Sequence, residues 1–292
     1  MRKSEPDANA PAHSGEYAFT TKFLFPTDVM TDRVNHVPRQ NEHFGIDLDY
    51  GNSPNLDFST LRKQGVEFVY ARATYGSKKR YDSNFSKFWP KLATIKTGAH
   101  GPVYRGAYHF LTPGSPDLQA NIFISFVRHV DPAGIASDDM PPGLDLEWTS
   151  SDPANDAWKG HDPDEIVDTA LAVLKRFDAE WHRSAVLYTH AAWWAERTAA
   201  HPEKAKALKR ITDAGFVLWI SDYHGSNLLK ELPRTPPGMP WTIWQFTASS
   251  ELEQGYPTQT VCYKDGKPNR ECIDASVFKG TEDEFKKAFG LK

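Results

Sequence analysis

Eight short runs rich in β-branched and aromatic residues, most of them separated by stretches of helical periodicity, restrict what this chain can fold into. They cover residues 44–48, 66–74, 103–111, 143–148, 185–189, 216–221, 242–247 and 271–278. Strand–helix alternation sets successive strands parallel, with a crossover helix between them. Eight strands in about 250 residues fit a closed barrel better than an open doubly wound sheet. The clearest helix opens at Asp162, with Pro163 in its first turn and Glu165 at capping-box spacing. Ile166, Ala170, Leu174, Phe177 and Trp181 then recur at steps of three and four, a stripe that would face a sheet. Leu118, Ile122, Phe126 and Val130 repeat that pattern, and Thr281 with Glu284 reads as a box opening the C-terminal helix. The helical signal fails over the Pro-rich stretch 221–240. The expectation is an irregular α/β barrel of one domain: five regular strand–helix units, then strands with little or no helix.

No internal repeat or low-complexity tract argues for a second domain. Residues 1–40 carry no sustained periodicity and read as an extended arm or flexible leader to a barrel spanning 41–292. Residues 4–16 are polar and Pro/Ala-rich, so no signal peptide is visible. Lys and Arg total 34 against 38 Asp and Glu, with no basic block longer than three residues, which leaves no stripe for nucleic acid or an anionic membrane. No apolar run approaches the roughly 20 residues that span a bilayer. Cys262 and Cys272 flank a turn-like stretch at 265–269. Strands joined across it would bring the sulfurs into disulfide range; reduced, half-buried thiols are the alternative. Two cysteines with no histidine at ligand spacing do not make a zinc site.

The sharpest chemical signal is Gly143-Leu144-Asp145-Leu146-Glu147-Trp148. Residues two apart in a strand share a face, so Asp145 and Glu147 project together while Leu144, Leu146 and Trp148 take the other side. The C-terminal ends of barrel strands open into the active site, and paired carboxylates there suit glycoside hydrolysis. A bare D-x-E is also what a solvated strand end looks like. Asp47, with Asp49 on its face, and Asp274 bring acids from two further strands, and crowding of like charge would raise the pKa a general acid needs. Tyr108, Tyr188, Trp219 and Trp244-Gln245 sit beside the same strand ends; each alone reads as core, and together they would wall a sugar groove. His109 reads as core or pocket wall, and Asn84-Phe85-Ser86 is a formal glycosylation sequon. No G-x-S-x-G, H-E-x-x-H, G-x-G-x-x-G or Walker loop is present.

In chain order, Gly45-Ile46-Asp47, residues 68–76, Asp82 with Phe85, and Gly106-Ala107-Tyr108-His109-Phe110 resemble segments of glycoside hydrolase family 25 lysozymes, the Chalaropsis-type muramidases. Asp145-Leu146-Glu147, Leu187-Tyr188-Thr189, Leu218-Trp219-Ile220, Trp244-Gln245-Phe246 and Ile273-Asp274 complete the series over about 44–280. Asp49 stands where the family usually has serine, and Tyr75 where it has an acid before Gly76. The resemblance implies an irregular TIM-like (β/α)5β3 barrel that cleaves the β-1,4 bond between N-acetylmuramic acid and N-acetylglucosamine without metal or cofactor. It implies Glu147 as general acid, with Asp145, Asp47 and Asp274 lining the site and Arg72, Tyr108, Tyr188, Trp219, Trp244 and Gln245 binding substrate. Whether Asp145 is a nucleophile or positions the substrate's N-acetyl group stays open. The implied partner is bacterial peptidoglycan, met by a monomer that is secreted or delivered to the periplasm, with a secretion apparatus or an immunity or inhibitor protein as further partners. A catalytically silent carbohydrate-binding barrel and a chitinase-like N-acetylhexosaminidase are the competing readings.

Overall fold

The computed structural model describes residues 19, 23–32, 36–52, 56–78, 80–95, 101–252, 262–264, 267–269 and 273–292. Eight strands form its barrel: β1 (Glu42–Leu48), β2 (Val66–Tyr75), β3 (Tyr104–Phe110), β4 (Gly143–Leu146), β5 (Val186–His190), β6 (Val217–Ser221), β7 (Ile243–Leu252) and β8 (Ile273–Lys279). β1 to β7 run parallel from neighbour to neighbour. β8 closes the ring antiparallel to both β7 and β1. That reversal has a consequence for chemistry, because the start of β8 lies at the barrel end where β1 finishes. Asp274, second in β8, is therefore paired with Asp47, next to last in β1.

Alternation sorts each strand into two faces. Phe44, Ile46 and Leu48 of β1, and Leu144 and Leu146 of β4, point outward into the shell of helices. The barrel interior is filled instead by Phe68, Tyr70, Tyr104, Tyr108, Val186, Tyr188, Trp219 and Phe278. Rings of this size fit because facing positions are glycine. A Cβ on Gly45 would lie 2.2 Å from the Phe68 ring, and one on Gly106 would lie 2.4 Å from that of Tyr70. The lower end is stoppered by the helix Glu282–Phe289, which carries Phe285 and Phe289 into this cluster. Thr281 and Glu284 form the expected reciprocal capping box.

Elsewhere the sequence expectations shift in detail. The helix Pro163–Trp181 is capped by Asp162 through the amide of Asp164 at 2.8 Å, and the other oxygen of Asp162 lies 2.5 Å from Lys204 Nζ. Glu165 therefore closes no box. In the helix Pro116–Val130 the buried face is centred on Ala120, Phe123, Ile124 and Val127, while Leu118 is 45% exposed. Phe123 sets that rotation by packing on Phe177 and Trp181 of the next helix. A short helix, Gly225–Lys230, occupies part of the stretch read as loop.

The described part of the first 40 residues is no loose leader. Phe19, Phe23 and Phe25 are fully buried, Phe19 stacks on Phe246 at 4.4 Å, and Phe23 stacks on Phe44 at 5.2 Å. Leu24–Phe25 adds a parallel edge to the end of β7. Phe19 and Phe23 lie outside any helix or strand, and a strand of two residues is too short for burial to leave a period to detect. Cys262–Lys264 and Lys267–Asn269 form the antiparallel hairpin expected near the cysteines, with Cys262 opposite Asn269. The Cys262–Cys272 pairing itself lies outside the described residues. Among those residues, no helix is long and apolar enough to cross a membrane.

Candidate active site

At the upper end of the barrel the inward positions change from aromatic to acidic. Asp47 from β1, Asp145 from β4, Glu147 from the bend just after β4, and Asp274 from β8 all line one open cleft. Asp145 is 6% exposed and Asp274 1%, whereas Glu147 is only half-buried. Asp47 is oriented by Gln245 of β7, whose Nε2 donates to its Oδ2 at 2.6 Å. Gln245 Oε1 in turn accepts from the hydroxyls of Tyr188, at 2.9 Å, and Tyr223. Burial, reinforced by Glu147, Tyr223, Asp145 and Asp47, holds the Tyr188 phenol well above its ordinary pKa. Burial does the same for Tyr223, with Asp47 and Glu147 adding to it. Both phenols therefore stay protonated and serve as donors across the pH range of enzymology. Tyr108 and Trp219 form part of the cleft wall, and the Trp219 indole donates to Ser276 Oγ at 3.0 Å.

Arg72 reaches the cleft from β2, already engaged with two acids. Its Nη1 is 3.3 Å from Asp49 Oδ2, while Nε and Nη2 donate to Asp82 Oδ2 at 3.2 and 3.1 Å. Tyr75, in the position where an acid was expected, stacks on the cleft-lining Phe110 at 4.6 Å. The segment carrying Glu147 is anchored two residues later. Thr149 donates its amide and hydroxyl to Asp156 Oδ1 at 3.1 and 2.9 Å. The other Asp156 oxygen accepts from Trp193 Nε1 at 3.0 Å and pairs with Arg197 at 3.2 Å.

Two sequence expectations are corrected here. Trp148 was placed opposite Glu147, but β4 ends at Leu146, so strict alternation lapses and Trp148 lines the cleft. Its indole donates to Glu196 Oε2 at 2.9 Å. Trp244 was placed in the groove, yet it is fully buried on the outer face of β7, packed on Phe19 and Phe246 and donating to the Asp222 carbonyl. Its neighbour Gln245 takes the inner face, as alternation requires. His109 is core, bonded to Thr74 and Gln119, and burial lowers its pKa to about 4. Asn84 is buried with its amide donating to the carbonyls of Tyr50 and Asn52, so the sequon does not present an acceptor at the surface.

Sequence reasoning missed His190 and Tyr223, both on the cleft wall. The signal was available for His190, which lies two residues beyond Tyr188 and so shares its face. Its Nδ1 accepts the Ala192 amide at 3.1 Å, and burial lowers its pKa to about 4, which leaves a neutral ring protonated at Nε2. Among the described residues, no group of three or more His, Cys, Asp or Glu side chains could hold a metal ion.

A family model described as glycosyl hydrolases family 25 matches residues 46–254. The chain belongs to that family. Relatives include Lysozyme M1 of Streptomyces globisporus, 27% identical over 213 residues, a match covering 71% of this chain and 63% of that protein. The N,O-diacetylmuramidase of Arthroderma benhamiae is 28% identical over 221 residues, covering 72% of this chain and 82% of that one. This chain thus spans less than two thirds of the Streptomyces protein. A family 25 glycosyl hydrolase from Bacillus anthracis has the same fold, with a TM-score of 0.61 at 23% identity over 85% of this chain and 93% of that one. The family match stops before β8, so Asp274 enters the site through strand pairing alone.

Proposed function

We propose that this family 25 chain is a muramidase that hydrolyses the β-1,4 bond between N-acetylmuramic acid and N-acetylglucosamine in bacterial peptidoglycan. The observation that carries the reading is the convergence of Asp47, Asp145, Glu147 and Asp274 on one open cleft walled by tyrosines and tryptophans. Gathering carboxylates inside a barrel costs folding free energy, so four of them at one strand end point to a chemical role. The names of the two relatives supply the substrate.

In this mechanism Glu147 is the general acid. It sits past the strand end on the longer side chain, where it can reach a glycosidic oxygen; it delivers its proton as the bond to the leaving sugar breaks, and recovers one from the water whose hydroxyl ends on the anomeric carbon. Asp145 is ionised and stabilises the positive charge growing at the anomeric carbon or orients the acetamido group. Asp47, held by Gln245, and Asp274 complete the negative field around that carbon, while Tyr108, Tyr188, Trp219 and Arg72 shape the groove. No metal or cofactor takes part. The enzyme works as a monomer in the cell wall or periplasm, secreted or delivered there. A secretion apparatus and an immunity or inhibitor protein are the partners that such delivery would involve.

Digestion of purified peptidoglycan followed by mass analysis of the fragments tests this. New reducing ends on N-acetylmuramic acid are expected. Reducing N-acetylglucosamine ends would indicate the chitinase-like reading, and binding without soluble products would indicate a silent carbohydrate-binding barrel.

A further inference from the structure

On the β1–β2 side of the cleft stands an aromatic ring that no step of the hydrolysis uses. Tyr50 lies just beyond β1, and its side chain is 52% exposed. The Arg72 guanidinium sits over one face of its ring, 4.9 Å from the centroid. That guanidinium is itself clamped between Asp49 and Asp82. The backbone of Tyr50 is fixed as well: its amide donates to Asp82 Oδ2 at 2.9 Å, and its carbonyl accepts from Asn84 Nδ2 at 3.3 Å. Asp49 and Arg72 both line the cleft, so the ring stands at its rim.

A rigid aromatic ring with one face backed by a cation and the ring half open to solvent is suited to stacking. A hexopyranose offers an apolar C–H face to such a ring, and little side-chain freedom remains to be lost on contact. The charge of Arg72 is already matched by Asp49 and Asp82, which favours a neutral ligand over an anionic one. The other exposed tyrosine nearby, Tyr81, already has a ring face covered by Phe126, on which it stacks at 4.3 Å. Asp49, the departure from the family's usual serine, is part of the clamp beneath Tyr50.

We propose that Tyr50 is a stacking platform for a neutral N-acetylhexosamine ring of the glycan strand lying outside the four-acid cleft, an outlying subsite that makes affinity depend on strand length. This rests on the glycan-cleaving reading, and the test separates the two. Calorimetric titration of Glu147→Gln with a peptidoglycan tetrasaccharide and octasaccharide is compared with the same titration of Glu147→Gln/Tyr50→Ala and Glu147→Gln/Tyr50→Trp. The octasaccharide should bind about fivefold more tightly than the tetrasaccharide when Tyr50 is present, the gain expected of one stacked ring. Tyr50→Ala should erase that increment, and Tyr50→Trp should keep it. An increment that survives Tyr50→Ala, or no increment at all, overturns the platform. If the unsubstituted enzyme fails to cleave peptidoglycan while a Tyr50-dependent increment remains, the hydrolysis reading falls and the platform stands. If it cleaves and the increment is absent, the platform alone falls.

Discussion

The two ends of the barrel are built from the same strands by the same alternation, and they have opposite contents. At the lower end the inward side chains are Phe68, Tyr104 and Phe278, sealed by Phe285 and Phe289. Phe285 packs within 5.3 Å of Phe278 and 5.6 Å of Tyr104, ring centre to ring centre. At the upper end the same faces carry Asp47, Asp145, Asp274 and Gln245 around open space. Apolar rings leaving water stabilise the fold. Carboxylates held close together in a half-dry cleft do the reverse. The lower end therefore supplies stability, and the upper end draws on it for chemistry.

That contrast breaks most visibly at the plug. Phe285→Ala should destabilise the protein by about 3–5 kcal/mol, as buried Phe truncations do, while kcat of the folded fraction stays within about twofold. Denaturant unfolding and kinetics under native conditions measure both; a large loss of kcat in folded protein would mean that the ends are coupled.

A second effect comes from two histidines, one buried within β3 and one on the cleft wall. Burial places the pKa of His109 and His190 at about 4, against roughly 6.5 in an unfolded chain. The unfolded state therefore binds more protons between these values. Stability that is complete above about pH 6.5 should be lost as the pH falls toward 4, by roughly 3 kcal/mol per histidine. Denaturation midpoints recorded from pH 7 to pH 4 check the slope; a flat profile would contradict it.

Smaller effects sharpen the picture at the upper end. Asp156→Asn loosens the anchor of Thr149, and with it the segment carrying Glu147. It should lower kcat about tenfold, worth roughly 1.4 kcal/mol in the barrier, with KM little changed. Steady-state kinetics beside a thermal melt distinguish this from simple destabilisation, which would leave kcat per folded molecule intact. Trp148→Phe keeps an aromatic, though smaller, ring and removes the bond to Glu196. It should raise KM by no more than about threefold, in keeping with a partly exposed hydrogen bond of about 1 kcal/mol or less.

Much of this fold is legible in the amino-acid sequence. All eight barrel strands stand within a few residues of the runs rich in β-branched and aromatic residues, because strands covered on both faces are apolar along most of their length, the seven parallel ones and the antiparallel β8 alike. Asp47, Asp145, Glu147 and Asp274 do meet at one end. The misses have physical causes. Trp244 and Gln245 are adjacent in one strand, so both could not face the groove. Trp148 required knowing that β4 stops at Leu146, since period two holds only while the backbone is extended. Phe19 and Phe23 lie outside any helix or strand and Phe25 in a strand of two residues, too short for alternation to show, so their burial comes from tertiary packing that leaves no periodic mark. Asp156 acts in part through Trp193 and Arg197, partners distant in sequence that no local pattern encodes.

The division between a stabilising lower end and a chemical upper end is tested most directly by Glu147→Gln, with melting temperature and peptidoglycan turnover measured on the same preparation. This substitution removes the transferable proton with almost no change of shape. The expected result is a kcat lower by about 10²–10⁴-fold, the usual worth of acid catalysis, in a protein that melts no lower than the parent and still binds glycan. Near-normal turnover, or a protein whose lost activity is accounted for by lost folding, would contradict it.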